Sequence, residues 1–258
     1  MSVKFGPSGI GGVKEAVSNL EKYKKLGITA CEIAFTYGAY IKKKEDALKI
    51  ARAAEKLGIQ LSIHGPYWVN LNSEEPEKIE KSKERILKCC EVGTWLGAKK
   101  VVFHPGYYGK RGKEESYENI KRAVLEMMDE IKKRKYTCKI ALETTGKVNV
   151  FGSVDETLRL VRETGCDFCI DFAHILAREK EYKFDEVFEK FKDFPEIHIQ
   201  FSGINYTEKG ERSHRKTTRE ELTQLISHLP KNKNITIINE SPEPIEDSVV
   251  AIEIFNSM

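Results

Sequence analysis

Imidazole and carboxylate side chains gather at the ends of the apolar runs of this sequence. Five of the six histidines belong to this set: three stand at or just beyond the end of an apolar run, one within the seventh run and one in the loop that follows it. A buried ionised carboxylate is costly unless it is paired or bound to a cation. Imidazole combined with carboxylate favours zinc, manganese or iron over calcium or magnesium. The residues of this set are His64, His104, Glu143, Asp171, His174, His198, His214 and Glu240.

The size of this set predicts more than one metal ion. One tetrahedral zinc ion uses four ligands, and the set is larger than that. We therefore expect two or three ions, with zinc preferred and manganese as the alternative. Such a centre would support hydrolysis, because metal ions generate a hydroxide at neutral pH and stabilise charge on a phosphoryl group.

The elements that must position these residues follow from the pattern of apolar runs. Short apolar runs alternate with longer charged segments of helical period, which predicts strand–helix repeats. A helix is expected near each of residues 13–26, 44–57, 75–97, 114–135, 153–164, 184–193, 218–229 and 245–257. The expected strands are Val3–Pro7, Ala30–Phe35, Gln60–Gly65, Lys99–His104, Lys139–Glu143, Asp167–Phe172, Glu196–Phe201 and Asn234–Glu240.

Eight such repeats predict an α/β fold, a single closed parallel (β/α)8 barrel of the TIM type that spans residues 1–258. In this fold the carboxyl ends of the strands surround one mouth, where active sites form. The strand ends carry the imidazoles and carboxylates, so we expect them to face one another there.

Composition and charge indicate which partners and which cellular location to expect. The net charge is +3, which is only mildly basic, so the placement of charge matters more than its total. We expect no transmembrane segment, because no run of about 18 apolar residues occurs. The first residues, MSVKFGPSGIGG, lack the apolar core of a signal peptide. We therefore expect a cytoplasmic monomer with no membrane partner, whose six cysteines are thiols.

The strand-end motifs resemble those of the endonuclease IV family of apurinic/apyrimidinic endonucleases. The resemblance covers nearly the whole chain and is carried by HGPYWVNL (64–71), VVFHPG (101–106), LETTGK (142–147), CIDFAH (169–174), IHIQFSG (197–203) and INES (238–241). It implies a trinuclear zinc centre. His64 and His104 would hold one ion, and Glu143 would bridge it to a second. The remaining assignments are Asp171, His198 and Glu240 for the second ion, and His174 and His214 for the third.

The resemblance also implies an activity and a substrate. Members cleave the phosphodiester 5′ to an abasic site in double-stranded DNA during base excision repair, with a hydroxide activated by the metal centre. Here Glu143 and Glu240 would be the catalytic carboxylates. Tyr67 and Trp68 occupy the positions of the residues that enter the DNA at the lesion, and apolar wedges of this kind unstack bases. The expected DNA-binding residues are Tyr67, Trp68, Tyr107, Lys110, Arg111, Arg212, Arg215 and Lys216.

One departure from the family pattern concerns the third ion. The family supplies it with an Asp-x-His pair, but Arg212 stands two residues before His214. A guanidinium offers no lone pair to a metal. We expect Glu211, one residue earlier, to replace the missing aspartate. The alternative is that the third site stays empty and Arg212 itself neutralises the phosphate or leaving group that the ion would have met.

Two other functions fit parts of the same pattern. Glu143, Asp171, His198 and Glu240 by themselves resemble the single-metal site of sugar isomerases and epimerases of the same barrel superfamily. The further imidazoles and the basic loops favour the nuclease. A protein that binds abasic DNA without cutting it is the third hypothesis, and Arg212 is the feature that supports it.

Overall fold

The predicted fold class is confirmed by the computed structural model, which describes residues 2–258. Eight parallel strands form one sheet in the spatial order β1-β10-β7-β6-β5-β4-β3-β2. These strands are β1 (Ser2–Pro7), β2 (Ala30–Ala34), β3 (Gln60–His64), β4 (Lys100–Phe103), β5 (Lys139–Glu143), β6 (Asp167–Asp171), β7 (Glu196–Phe201) and β10 (Asn234–Asn239).

Helices connect successive strands. They are α1 (Ala16–Lys25), α2 (Lys44–Leu57), α3 (Pro76–Leu96), α4 (Lys113–Lys133), α5 (Val154–Thr164), α6 (Phe172–Glu179), α7 (Phe184–Lys190), α8 (Arg219–Ser227) and α9 (Pro244–Ser257). Gly58, Gly97 and Gly165 end three of them in the left-handed conformation that favours glycine. Among residues 2–258, no helix is both long and apolar enough to cross a lipid bilayer.

Two parts of the structure were not predicted from the sequence. Helix α6 begins directly at the end of β6, where Asp171 acts as its N-cap and accepts a hydrogen bond from the His174 amide. An antiparallel hairpin of β8 (Gly203–Thr207) and β9 (Gly210–Arg215) follows β7. This hairpin is polar and largely exposed. It therefore lacks the apolar run from which the barrel strands were predicted.

The sheet closes into a barrel between β1 and β2. Ser8 forms a parallel bridge with Glu32, and the Gly9 amide donates to the Glu32 carbonyl at 2.7 Å. At the start of β2, the Thr29 amide donates a hydrogen bond to the Phe5 carbonyl of β1 at 3.0 Å. These contacts join the two edge strands of the eight-stranded sheet.

Alternate residues of each strand point into the barrel or towards the helices. Val101 and Ile140 belong to the main core between strands and helices, whereas Val102, Ala141 and Cys169 form a separate small cluster. This second cluster contributes small apolar side chains to the barrel interior. The same alternation places the carboxylate of Glu143, two residues after Ala141, on the interior side at the mouth.

The amino-terminal end of the barrel is closed by polar pairs. Lys4 Nζ donates to Gln60 Oε1 at 2.8 Å, and Gln60 Nε2 donates to Thr236 Oγ1 at 3.0 Å. Lys100 Nζ lies 3.0 Å from Asp167 Oδ2, and both side chains are mostly shielded from solvent. These contacts pair polar side chains of this end with one another, whereas the imidazoles and carboxylates of the strand ends lie at the opposite mouth.

Barrel closure depends on the absence of a side chain at Gly6. A Cβ atom at this position would lie 1.7 Å from the carbonyl oxygen of Ala30 in β2. We expect Gly6→Ala to destabilise the protein by about 3 kcal/mol or more, since overpacking here must separate two backbones. Chemical denaturation measures the change. Gly12→Ala is the control, because its nearest neighbour would lie at 3.7 Å, and equal stability of the two variants would contradict the expectation.

Candidate metal centre

The strand-end residues meet at the barrel mouth as a cluster of imidazoles and carboxylates. His64, Glu143 and Asp171 are the last residues of β3, β5 and β6, and His104 follows β4 directly. Glu240 follows β10 directly. His64, Glu143 and Asp171 are buried, whereas His104 and Glu240 are half-buried. His64, His104 and Glu240, together with hairpin residues, line a cleft of about 320 Å³ at the mouth.

Glu143 lies at the centre of this cluster. Its Oε2 is 2.9 Å from His64 Nε2, and its Oε1 is 2.8 Å from His104 Nε2. The same Oε1 is 2.9 Å from His174 Nδ1. A fully buried carboxylate therefore contacts three imidazoles, and His64, His104 and Glu143 bring their ligand atoms within 4.8 Å of one another.

Backbone carbonyls fix the orientation of two of these imidazoles. His64 Nδ1 lies 2.8 Å from the Gly65 carbonyl oxygen, and His174 Nδ1 lies 3.0 Å from that of Thr144. A carbonyl oxygen only accepts, so each Nδ1 must carry a proton. The Nε2 atoms then face carboxylates, that of His64 towards Glu143 and that of His174 towards Glu211, and they are the atoms that a metal would bind in place of a proton.

A β-bulge shapes the hairpin strand that supplies the remaining ligands. Asn205 pairs with Ser213 and Tyr206 pairs with Glu211, so Arg212 is the extra residue between the two pairs. In a regular strand, residues three apart face opposite sides. The bulge shifts the alternation by one residue. Glu211 therefore takes the position expected for the missing aspartate, and Arg212 is exposed.

The bulge brings Glu211 and His214 to the same side of the hairpin, towards His174. His174 Nε2 lies 3.4 Å from Glu211 Oε2, and the ligand atoms of all three residues lie within 4.8 Å of one another. His214 Nδ1 is held by the Ser202 hydroxyl at 2.9 Å. Zinc bonds of about 2.0–2.2 Å set tetrahedral ligand atoms about 3.3–3.6 Å apart, and the 3.4 Å between His174 Nε2 and Glu211 Oε2 lies in this range.

Two glycines allow the hairpin to dock against the mouth. The Glu211 amide donates to the Gly146 carbonyl at 3.0 Å. A Cβ on Gly146 would lie 2.8 Å from the Glu211 Cβ and 3.0 Å from the His174 ring. A Cβ on Gly210, whose φ is +102°, would lie 2.1 Å from the Gly146 carbonyl oxygen. Only glycine at both positions lets Glu211 approach His174.

The electrostatics of the mouth favour bound cations. Burial opposes ionisation of Glu143, but the imidazoles around it, above all His104, hold its pKa well below its usual range. Burial also opposes protonation of His64, yet its contact with Glu143 raises the pKa of His64 to about 10. Burial raises the pKa of Asp171 to about 6 and raises that of Glu240 well above its usual range. A divalent cation would relieve the repulsion among these carboxylates.

The structure does not bring His198 to this cluster. His198 pairs with Thr236 in the register of β7 and β10 and lies two residues before Gln200, which is opposite Asp171. The imidazole is therefore one layer below the mouth, where its Nε2 lies 3.0 Å from Glu32 Oε2. The alternation along β7 correctly predicted that His198 faces the barrel interior, but the prediction placed the imidazole at the mouth and not one layer below it. We correct the expected ligand set by leaving His198 out of it.

Sequence reasoning missed Glu32 and Gln200. Glu32 is a fully buried carboxylate inside the barrel, and it accepts hydrogen bonds from the Ser62 hydroxyl at 2.7 Å and from Gln200 Nε2. Gln200 Nε2 also donates to Glu240 Oε1 at 3.2 Å. An acidic residue inside the apolar run Ala30–Phe35 was the available signal for Glu32. Gln200 stands two residues after His198, so the sequence indicated that both side chains lie on the same face of β7.

Aromatic side chains border the mouth. Tyr67 and Trp68 are 59% and 61% exposed, and Tyr107 is 49% exposed. The Tyr67 ring packs with its centroid 5.6 Å from that of His64 and 6.0 Å from that of His104. Exposed rings of this size beside the imidazoles offer stacking surfaces next to the cluster.

The expected basic residues fall into two groups. Arg215 contacts Glu221 at 2.7 Å and Lys216 contacts Glu243 at 2.5 Å. Arg111 is likewise engaged, with Asn72, Ser73 and Glu115. Lys110 and Arg212 are exposed and form no ion pair within residues 2–258. These last two are the charges most available to a phosphate.

A family assignment follows from comparison with known proteins. The model of the xylose isomerase-like TIM barrel family matches residues 20–250. The chain belongs to this family. An uncharacterized protein of Methanocaldococcus jannaschii is 34% identical to this chain over an alignment of 269 residues. The alignment covers 98% of this chain and 97% of the relative.

Several relatives and solved structures that this chain resembles carry functional names. A probable endonuclease 4 of Geobacillus sp. is 27% identical over 87% of this chain and 85% of the relative. Endonuclease IV from Thermus thermophilus superposes with a TM-score of 0.70 at 22% identity, over 100% of this chain and 98% of that one. The 3-keto-D-glucoside 4-epimerase YcjR from E. coli superposes at 0.71 and 13% identity, over the whole of both chains. The resemblance to endonuclease IV is confirmed, and the fold itself is shared with epimerases.

The role of Glu211 can be tested by metal content. We expect Glu211→Ala to lower the zinc bound per chain by one ion, because His174 and His214 alone leave that group with two protein ligands. Plasma emission spectrometry of dialysed protein measures this. Glu208→Ala, which removes an exposed carboxylate from the same hairpin, should keep the full zinc content. Unchanged zinc in Glu211→Ala would show that the hairpin carboxylate is not a ligand.

Proposed function

We propose that this protein is a metal-dependent phosphodiesterase that cuts DNA on the 5′ side of abasic sites. The observation that carries the proposal is the pair of ligand groups at one barrel mouth. One group is His64, His104 and Glu143, and the other is His174, Glu211 and His214. Relatives named endonuclease 4 support the same function.

The two groups are close enough to act on one phosphate. Glu143 Oε1 of the first group lies 2.9 Å from His174 Nδ1 of the second. When bound there, divalent ions would supply a hydroxide at neutral pH and neutralise charge that develops on the phosphoryl oxygens. Glu143 would hold the two groups in register through its two oxygens. The Gly65 and Thr144 carbonyls would keep the His64 and His174 rings oriented.

Glu240 would complete the chemistry from the floor of the mouth. Its Oε1 accepts a hydrogen bond from Gln200 Nε2 at 3.2 Å, which fixes the carboxylate towards the cleft that it lines. A carboxylate in this position would orient the attacking water by accepting a hydrogen bond from it. We therefore retain Glu143 and Glu240 as the proposed catalytic carboxylates.

Recognition of a damaged duplex would come from the aromatic border. A missing base leaves a gap in the stack, and the exposed rings of Tyr67 and Trp68 are large enough to fill it. Tyr67 packs against His64 and His104, so a ring inserted at the lesion would bring the adjoining phosphate to the metal groups. Lys110 and Arg212 would contact flanking phosphates, which contribute to affinity rather than to sequence preference.

The single-metal sugar enzyme is the alternative function. It requires Glu143, Asp171, His198 and Glu240 around one ion. His198 instead contacts Glu32 below the mouth, whereas His64, His104 and His174 surround Glu143. This arrangement favours a phosphate substrate over a sugar. A DNA binder without nuclease activity is also less favoured, because the bulge at Arg212 restores a carboxylate to the hairpin group.

The decisive experiment compares two substrates with one preparation of protein. A duplex with a single abasic analogue should be nicked on its 5′ side, an intact duplex should not, and chelation should abolish the reaction. Ketose epimerisation is measured in parallel. Epimerisation without nicking would support the sugar enzyme and contradict the proposal.

Replacing the central carboxylate gives a sharper test. We expect Glu143→Gln to lower nicking by more than about 100-fold, since an amide is a poor bridge and even outer-sphere changes at metal sites cost 10–100-fold. Zinc content should fall in the same variant. Glu118→Gln, on the exposed face of α4, is the control and should behave as the wild type. Full nicking by a folded Glu143→Gln protein would overturn the mechanism.

The aromatic border can be tested separately from the chemistry. Stacking is worth about 1–3 kcal/mol per base, so Tyr67→Ala and Trp68→Ala should each reduce the preference for abasic over intact duplex by roughly 5- to 150-fold. Competition binding at fixed salt measures this preference. Tyr136→Ala, in the loop that precedes β5 at the opposite end of the barrel, should leave it unchanged. If the double variant retains full selectivity, the two rings serve only to pack the rim.

A further inference from the structure

A separate cavity lies at the amino-terminal end of the barrel, opposite the mouth. It has a volume of about 210 Å³ and shares no lining residue with the cleft at the mouth. Pockets for drug-sized molecules are commonly about 300–1,000 Å³, so this cavity suits a smaller ligand. Several of the residues that line it are the first residues of their strands, namely Ser2, Gln60, Lys100, Glu196 and Asn234.

A buried imidazole lines this cavity and has one ring nitrogen without a partner. His198 is 2% exposed, and its Nε2 lies 3.0 Å from Glu32 Oε2. Its Nδ1 has no hydrogen-bond partner in the part of the chain that the structure describes. Each ring nitrogen of an imidazole is a donor or an acceptor, and buried polar atoms are nearly always hydrogen-bonded. The unpaired Nδ1 of His198 therefore points to a polar occupant of the cavity.

Two lysine side chains bring ammonium groups to the cavity with donors to spare. Lys4 Nζ donates to Gln60 Oε1 at 2.8 Å and forms no ion pair among residues 2–258. Lys100 Nζ lies 3.0 Å from Asp167 Oδ2, and the Lys100 side chain is only 7% exposed. An ammonium group carries three N–H donors. Each of the two lysines therefore retains donors that a ligand in the cavity can use.

The charge around the cavity is positive. Lys4, Lys99 and Lys100 supply ammonium groups, whereas Glu196 supplies the only carboxylate among the described residues that line it. A water molecule would pair with the Nδ1 atom of His198 but would leave this excess of charge uncompensated. A cleft lined by one sign of charge concentrates counter-ions. An anion meets both requirements.

We propose that this cavity is a second ligand site, which takes a small oxyanion of the phosphate class. Phosphate oxygens accept hydrogen bonds from the ammonium groups of Lys4 and Lys100. Hydrogen phosphate also carries an O–H group, so it can pair with the Nδ1 atom of His198 whether that atom donates or accepts. An ionised carboxylate only accepts and would fit these contacts less completely. The site depends neither on the metal centre nor on the proposed function.

Titration with inorganic phosphate tests this site without any assay of activity. Phosphate is added to the purified protein at constant pH, and the ring nitrogens of His198 are followed by long-range proton–nitrogen NMR spectroscopy. A saturable change of the Nδ1 signal is expected, and sodium chloride of equal ionic strength should not reproduce it. No saturable change with phosphate would overturn the proposal.

A nucleotide distinguishes a free phosphate ion from a phosphate group on a larger molecule. Deoxyadenosine 5′-monophosphate offers the same phosphate chemistry, but its nucleoside is too large for the cavity. We therefore expect it to leave the Nδ1 signal of His198 unchanged. A saturable response equal to that of inorganic phosphate would refute a site for a small anion.

Variants of Lys4 locate the anion. Lys4→Gln should weaken phosphate binding about 10- to 150-fold, which is the usual range for loss of a hydrogen bond to a charged group. Lys4→Arg keeps the charge and should keep the binding. Lys25→Gln is the matched control, because this exposed lysine ends α1 at the same end of the barrel and does not line the cavity. Its phosphate affinity should equal that of the wild type.

A second substitution keeps the test decisive if Lys4→Gln does not fold, as judged by circular dichroism. Ser2→Asp places a carboxylate at the exposed wall of the cavity and should abolish phosphate binding by repulsion. Phosphate bound at the metal centre would depend on neither residue. Wild-type affinity in the folded Lys4→Gln or Ser2→Asp protein would therefore refute the site, whereas failure to nick abasic DNA would contradict only the proposed function.

Discussion

The burial of Glu143 is the constraint on which the rest of the mouth depends. An ionised carboxylate with no exposure to solvent is stable only beside positive charge or strong donors. Three imidazoles from β3, the end of β4 and α6 provide the contacts, and they can approach only because the barrel brings these elements together. The same contacts that stabilise Glu143 arrange the imidazole nitrogens around it, so stability and metal binding have a common origin in this site.

The hairpin shows how a β-bulge keeps two candidate metal ligands on the same side of a strand. One extra residue between Glu211 and His214 would turn one of the two away from His174 in a regular strand. The bulge at Arg212 absorbs this residue, and Gly146 and Gly210 allow the hairpin backbone to pack closely against the loop after β5. The displaced arginine is left on the surface, where its positive charge faces solvent instead of a metal ion.

A second buried carboxylate explains why the barrel interior is polar below the mouth. Burial opposes the ionisation of Glu32, but His198 lowers the pKa of Glu32, and Ser62 contributes a further hydrogen bond. Gln200 joins Glu32 to Glu240. The floor of the site is therefore a hydrogen-bonded layer that fixes Glu240 from beneath, separate from the imidazole groups above it.

The sequence by itself determined the barrel and most of its mouth. Apolar runs that alternate with helical segments specify the repeat, and a residue at the end of a parallel strand must lie at the common edge, so the positions of His64, Glu143 and Asp171 followed directly. The tertiary structure decided depth and local register. Alternation along a strand gives the face of a side chain but not its layer, which is why His198 and Gln200 could be told apart only by the pairing of β7 with its neighbours. The bulge that selects Glu211 likewise depends on how β9 pairs with β8, which no pattern within β9 reveals.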